Sequence, residues 1–176
     1  MSSNNRVFEE TLKVEYIDKD LKVFDKVQRI EGETKDSKYY ISMDVNSEIY
    51  PMKKDALYQL LLARLIYESK TTPTNFEYDL IANSKNTLMD NFDYVMSGKV
   101  FQFSLDKKKK DNNNNDTLSI SISFGELLFQ FSRLKKDDKT GKPKGFEDIN
   151  IDGVLYLLIK KEFKIDEYIN LIIIIF

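Results

Sequence analysis

The stretch FDYVMSGKVFQFSL, residues 92–105, alternates in two phases. Phe92, Tyr94 and Met96 occupy even positions; beyond Gly98, Phe101, Phe103 and Leu105 occupy odd ones. Period-2 alternation marks a strand with one buried face, and a change of phase beside a glycine marks a β-bulge. TLSISISFGELLFQFS, 117–132, does the same, with Leu118, Ile120, Ile122 and Phe124 before Gly125 and Leu127, Phe129 and Phe131 after it. The tetrapeptide FQFS thus occurs at 101–104 and 129–132. Each copy reads as the second half of a long strand whose inward face switches at a glycine. Phe101, Phe103, Phe129 and Phe131 are expected to point inward, with Gln102 and Gln130 outward. Strands with glycine-marked corners predict a closed antiparallel barrel, because bulges supply the curvature that closure needs.

The flanking segments extend this reading. In FEETLKVEY, 8–16, Phe8, Leu12, Val14 and Tyr16 fall on even positions, and KYYISMDVN, 38–46, puts Tyr39, Ile41, Met43 and Val45 on one face. Between them KVFDKVQRIEGE, 22–33, is a less regular strand, with a turn or bulge expected at Gly32. GVLYLLIKKEF, 153–163, is almost continuously apolar, as a strand buried on both faces would be. KDALYQLLLARLIY, 54–67, is rich in good helix formers, and Asp55 could cap it, so propensity alone predicts a helix. Residues 68–91 contain Pro73 and four asparagines without periodicity and read as one long loop. DKKKKDNNNND, 106–116, is a low-complexity hairpin loop, and RLKKDDKTGKPKG, 133–145, is a basic loop rich in chain breakers. One domain is expected over 1–161, with an atypical apolar tail at 162–176.

The composition removes whole classes of chemistry. The chain has 176 residues and no histidine or cysteine. That rules out Ser–His catalysis, thiol nucleophiles, disulfides and cysteine-ligated metals. No phosphate-cradling glycine loop, nucleophile elbow or EF-hand spacing occurs, and no cofactor or small-molecule substrate is expected. Acidic pairs such as Asp137–Asp138 lie in loops and read as solvated surface. Asp44, opposite in phase to Met43 and Val45, reads first as a polar outward strand position; the second reading is that, with Asn46, it binds backbone amides at the strand end. The N-terminus lacks the basic and apolar regions of a secretory signal. The longest apolar run, LIIIIF at 171–176, is far short of the ~20 residues that span a bilayer, so no membrane role is expected. The net charge of −2 creates no field drawing the chain to nucleic acid. Aromatic strands and basic loops keep one alternative open, a free barrel binding single-stranded nucleic acid, with Lys107, Lys108, Lys109 and Lys110 as its contacts.

In order and spacing, FDKVQRIEGE, MDVNSEIYPM, FDYVMSGKVFQF, ISISFGELLFQF and VLYLLIKK resemble the small barrel subunit shared by eukaryotic nuclear RNA polymerases I, II and III. The resemblance runs from about Phe8 to Lys161. Its most specific residues are Asp44, Val45, Asn46, Ile49, Tyr50 and Pro51 in one segment, and Tyr94, Val95, Met96, Gly98 and Lys99 in another, supported by Gly125. It implies an all-β fold: an eight-stranded antiparallel barrel with a motif like that of oligonucleotide-binding folds and a long Ω-type loop, here 68–91. It also implies a strand rather than a helix within 54–67, with Leu57, Gln59, Leu61, Ala63 and Leu65 on one face; strand is therefore the expectation carried forward. By the same resemblance the protein is a non-catalytic subunit that docks on the largest polymerase subunit in the nucleus, nucleolus included. The chain departs from the pattern at Glu126, where a second glycine is usual, at Ser97, where an aromatic is common, and in its apolar tail.

Overall fold

The computed structural model describes residues 5–20, 24–66, 87–107, 116–133, 146 and 149–162. The tail beyond 162, most of the long loop and the centres of both basic loops lie outside the described residues. Among the described residues there are eight strands: β1 (Arg6–Ile17), β2 (Val27–Thr34), β3 (Tyr39–Asn46), β4 (Leu57–Ala63), β5 (Tyr94–Lys107), β6 (Asp116–Phe124), β7 (Leu127–Arg133) and β8 (Val154–Glu162). One 3₁₀ turn, Leu88–Asn91, precedes β5.

The strands close into an antiparallel barrel in the order β1-β2-β3-β7-β6-β5-β8-β4. Two meanders, β1–β2–β3 and β5–β6–β7, meet along β3 and β7, and the pair β4–β8 closes the other side. Alternation fills the interior as expected: Ile41, Met43 and Val45 of β3, Ile120 and Ile122 of β6, and Phe129 and Phe131 of β7 are fully buried. Each such side chain contributes roughly 1.5–3 kcal/mol by leaving water. Phe131 stacks on Tyr39, with ring centroids 4.6 Å apart, and on Phe146, 5.2 Å away, while Phe8 meets it edge-on at 4.9 Å.

The phase changes are real, but two have other causes than expected. In β5 the alternation runs unbroken through Gly98: Met96, Gly98 and Val100 all face the interior. The bulge lies three residues on, where Val100 pairs with Ile122 and Gln102 with Ser121, leaving Phe101 as the extra residue. Phe101 therefore points outward, 45% exposed, against expectation, while Phe103 packs on the core. Gly98 is needed for space. A Cβ there would lie 2.5 Å from the Phe124 ring and 2.3 Å from the Ser123 carbonyl oxygen. Gly125 marks a chain reversal rather than a bulge. It and Glu126 form the two-residue turn between β6 and β7, Phe124 pairing with Leu127, and only Gly125 takes positive φ, at +69°. A left-handed first turn position suits glycine, and the second tolerates glutamate. Tyr16 is also corrected. β1 bulges between Val14 and Tyr16, so Ile17 packs on the core and Tyr16 is 41% exposed. Gly32 lies within β2 opposite that bulge, where a Cβ would meet the Lys13 carbonyl oxygen at 1.9 Å.

The helix that propensity favours at 54–67 is a strand, as the resemblance implies. Its apolar residues face both ways. Tyr58, Leu60 and Leu62 enter the barrel, while Leu61 and Ala63 face outward into a second cluster with Tyr156 and Leu158 of β8, Ile66 and Leu88. β8 is buried on both faces for the same reason. Asp55, at φ +62°, caps no helix; its N–H donates to the Val14 carbonyl at 2.9 Å in the turn before β4. Leu88 N–H donates to the Ile66 carbonyl at 2.7 Å, so the chain leaves β4 and returns at one point, as an Ω-type loop requires.

Gly98→Ala should destabilise the barrel by about 1–3 kcal/mol, because neither a packed ring nor a ladder carbonyl can yield easily. Gly125→Ala should cost about 1–2 kcal/mol through the left-handed conformation alone. Denaturant midpoints at unchanged m-value measure both, and Gly98→Ala should be the more damaging.

Candidate interaction site

The two segments singled out in the sequence meet at one end of the barrel. β3 carries the first. Val45 is a core residue, which leaves Asp44 on the outer face. Its Oδ1 accepts from Arg29 Nε at 2.7 Å and its Oδ2 from Arg29 Nη2 at 2.9 Å, a bidentate pair across the β2–β3 ladder. Oδ2 also accepts the Leu128 N–H at 3.1 Å. The β3–β7 ladder ends at Met43 and Phe129, and the carboxylate of Asp44 takes the next amide. The bond to Asp44 holds the Arg29 pKa above its usual value, despite the opposing effect of burial. Asp44 is 6% exposed, so the favoured reading of a solvated outward position is corrected: the position is covered, and the carboxylate binds an amide, the lesser of the two readings.

Asn46 turns the chain at the end of β3. Its Oδ1 accepts the N–H groups of Glu48 and Ile49 at 3.0 and 3.3 Å, and its carbonyl accepts the Tyr50 N–H at 2.8 Å. Asparagine favours such a turn because its side chain mimics the backbone. The turn brings Tyr50 back over Tyr94 of β5, rings nearly parallel at 7° and centroids 5.1 Å apart, with Tyr58 edge-on to Tyr50 at 6.2 Å. Tyr94 Oη accepts the Asn46 N–H at 3.2 Å. Asp93 Oδ2 accepts from the Tyr50 hydroxyl at 3.4 Å and the Lys161 N–H at 3.1 Å, tying the turn to β8. Burial first, and the Asp93 carboxylate second, push the Tyr50 phenol above its ordinary pKa.

The remaining singled-out residues are spread out. Met96 and Gly98 face the interior; Val95 packs on the outer cluster. Lys99 and Pro51 are exposed, Ile49 is 70% exposed, and Ser97 faces solvent on β5. Lys107 ends β5, and Lys108, Lys109 and Lys110 lie outside the described residues. Sequence reading passed over three participants: Arg29, Asp93 and Leu128. Asp93 left a trace, an acid between aromatics at a strand start. Arg29 and Leu128 left none, because register decides which residues face Asp44. The carboxylates here hold amides, a guanidinium and a phenol, so the geometry is that of a structural clasp, with no acid and base converging on a reacting atom. Among the described residues no three carboxylates gather where they could hold a metal.

Residues 9–161 match the family model described as RNA polymerase Rpb8. The chain belongs to the Rpb8 family. The match covers all of the barrel but the first three residues of β1 and the last of β8. Relatives include the Arabidopsis thaliana protein named DNA-directed RNA polymerases II, IV and V subunit 8B, 29% identical over 92% of this chain and 99% of its own length. A Dictyostelium discoideum protein, subunit rpabc3 of DNA-directed RNA polymerases I, II, and III, is 30% identical over 88% of this chain and 96% of its own. A Caenorhabditis elegans protein named probable subunit RPABC3 of polymerases I, II, and III is 32% identical over 88% and 95%. As an Rpb8-family member the chain is a non-catalytic subunit within the multi-subunit, nuclear DNA-directed RNA polymerase.

Asp44→Ala should cost about 2 kcal/mol, since it strands the Arg29 guanidinium and the Leu128 amide together. Asp44→Asn should cost less, because its side-chain oxygen still accepts one bond; chemical denaturation separates the two. The pH dependence has a definite sign. A phenol whose folded pKa is raised stabilises the fold below the unfolded value, near 10, and loses that stability as pH climbs through the folded value. Tm should fall as pH rises above about 10, and Tyr50→Phe should flatten part of that fall in a melting series.

Proposed function

We propose that this protein is the subunit common to nuclear RNA polymerases I, II and III, and that it docks on the largest subunit to support assembly. The observation that carries this reading is the match of the Rpb8 family model over residues 9–161, nearly the full barrel. Relatives from Dictyostelium and Caenorhabditis, named as subunits of polymerases I, II, and III, support the sharing among enzymes. A closed barrel whose conspicuous carboxylates are used in internal clasps suits a scaffold. Residues 1–161 form the working domain in this reading. Asp44, Asn46, Tyr50, Tyr94 and Gly98 shape the docking framework from within rather than touch the partner. Service in polymerase I places the protein in the nucleolus as well as the nucleoplasm.

Affinity purification of the tagged full chain from nuclear extract should recover the largest subunits of all three polymerases in comparable amounts. Recovery of none of them would refute the proposal, and recovery of one alone would refute the sharing.

A further inference from the structure

Among the described residues the two most exposed large hydrophobic side chains are Ile49, at 70%, and Phe24, at 58%. They flank one corner. The Ser47 N–H donates to the Lys26 carbonyl at 2.9 Å, and Lys26 Nζ lies 3.2 Å from Glu48 Oε2, so the turns before β2 and after β3 are fastened together. The Phe24 carbonyl accepts the Val27 N–H at 3.3 Å, which folds Phe24 back onto the start of β2. Asn46 Oδ1 holds the Ile49 N–H at 3.3 Å. Single exposed apolar side chains are ordinary, whereas a pair held on a fastened corner marks a surface with an occupant.

β8 ends beside this corner. Its Lys161 N–H and the Tyr50 hydroxyl donate to the same oxygen, Asp93 Oδ2, and Tyr50 directly follows Ile49. From Glu162 the sequence continues FKIDEYINLIIIIF, residues 163–176. At roughly 3.3 Å per extended residue, the stretch 163–170 reaches up to ~26 Å, enough to bring Leu171 over the corner. The run LIIIIF, 171–176, has no polar side chain, and such a run is an aggregation hazard when left in water.

The order of charges matches as well. Glu162 pairs with Leu57. Backwards from Leu57 the chain meets Asp55, then Lys54 and Lys53, then Pro51 and Ile49, all exposed. Forwards from Glu162 it meets Lys164, then Asp166 and Glu167, then the apolar run. The two segments are complementary in antiparallel order: acid against base, bases against acids, apolar against apolar. Lys53, Lys54 and Asp55 have no ion-pair partner among the described residues.

We infer that residues 163–176 of this same chain cover the corner: the segment runs back along 49–57, Asp166 and Glu167 pair with Lys53 and Lys54, and the LIIIIF run seats on Ile49 and Phe24. Tethering selects this occupant over a second copy or a foreign chain, because a segment joined to the surface by a few residues is present at an effective concentration on the order of millimolar. The barrel thus carries its own cap at the end where β8 finishes.

The native chain has no cysteine, so a disulfide can report on this contact without interference. In the full chain, Ile49→Cys with Ile173→Cys should close an intramolecular disulfide about tenfold faster, or more, than Ile151→Cys with Ile173→Cys, read by intact mass. Ile151 is 57% exposed and precedes the opposite end of β8, about 30 Å away. Lys53→Glu with Lys54→Glu should slow closure of the Ile49→Cys pair, and adding Asp166→Lys with Glu167→Lys should restore it. All the barrel positions changed are exposed, so Tm should hold in every variant. Equal rates for the two cysteine pairs would overturn the assignment, as would closure indifferent to the charge reversals. Disulfides that form only between chains, and faster at higher concentration, would overturn it too, since they put a second copy on the corner.

Discussion

The barrel depends on a seam between strands far apart in sequence, and Asp44 is where that seam is finished. β3 and β7 join the two meanders. Their ladder stops at Met43 and Phe129, and without Asp44 the Leu128 amide would face a protein surface with no acceptor. The carboxylate supplies that acceptor and is itself held by the two-pronged Arg29. One side chain thereby links β2, β3 and β7. An aspartate is suited to the task because it offers several acceptor sites on a short stem. A longer acid would overshoot an amide on the adjacent strand.

The tyrosine stack works on the same principle at the neighbouring corner. Asn46 reverses the chain, Tyr50 returns onto Tyr94, and Asp93 fastens the return to β8. Backbone amides freed where ladders end are satisfied by side chains of residues adjacent in sequence to those ladders. Such residues must keep their chemical identity, since each bond reaches across a fixed strand spacing. This gives a physical reason for the two segments that carry the family resemblance to be those containing Asp44, Asn46, Tyr50 and Tyr94.

The architecture was legible from alternation wherever one face is dry and the other wet, as in β3 and β6. Where both faces are dry, alternation vanishes. Leu60, Leu61 and Leu62 of β4 imitate a helix because Leu61 serves a second cluster outside the barrel. Bulges were legible as changes of phase, but their positions were not. Phase tells that one residue is extra between Met96 and Phe103; it does not tell which. Glycine was a misleading marker, because Gly98 is demanded by the Phe124 ring and Gly125 by a turn. The candidate site was half visible for a similar reason: motif residues lie in sequence, whereas Arg29 and Leu128 become partners of Asp44 only through register.

The bond from Leu88 N–H to the Ile66 carbonyl has a consequence for how this chain can vary. It fixes exit and re-entry of the long insertion at a single point on the wall, beside the cluster of Leu61, Ala63 and Leu158. Closure entropy grows slowly, by about 0.6 kcal/mol for each doubling of loop length. The barrel is therefore indifferent to how many residues lie between those two anchors. Length there is free to drift, and new sequence can accumulate in the insertion without any strand having to shift its register.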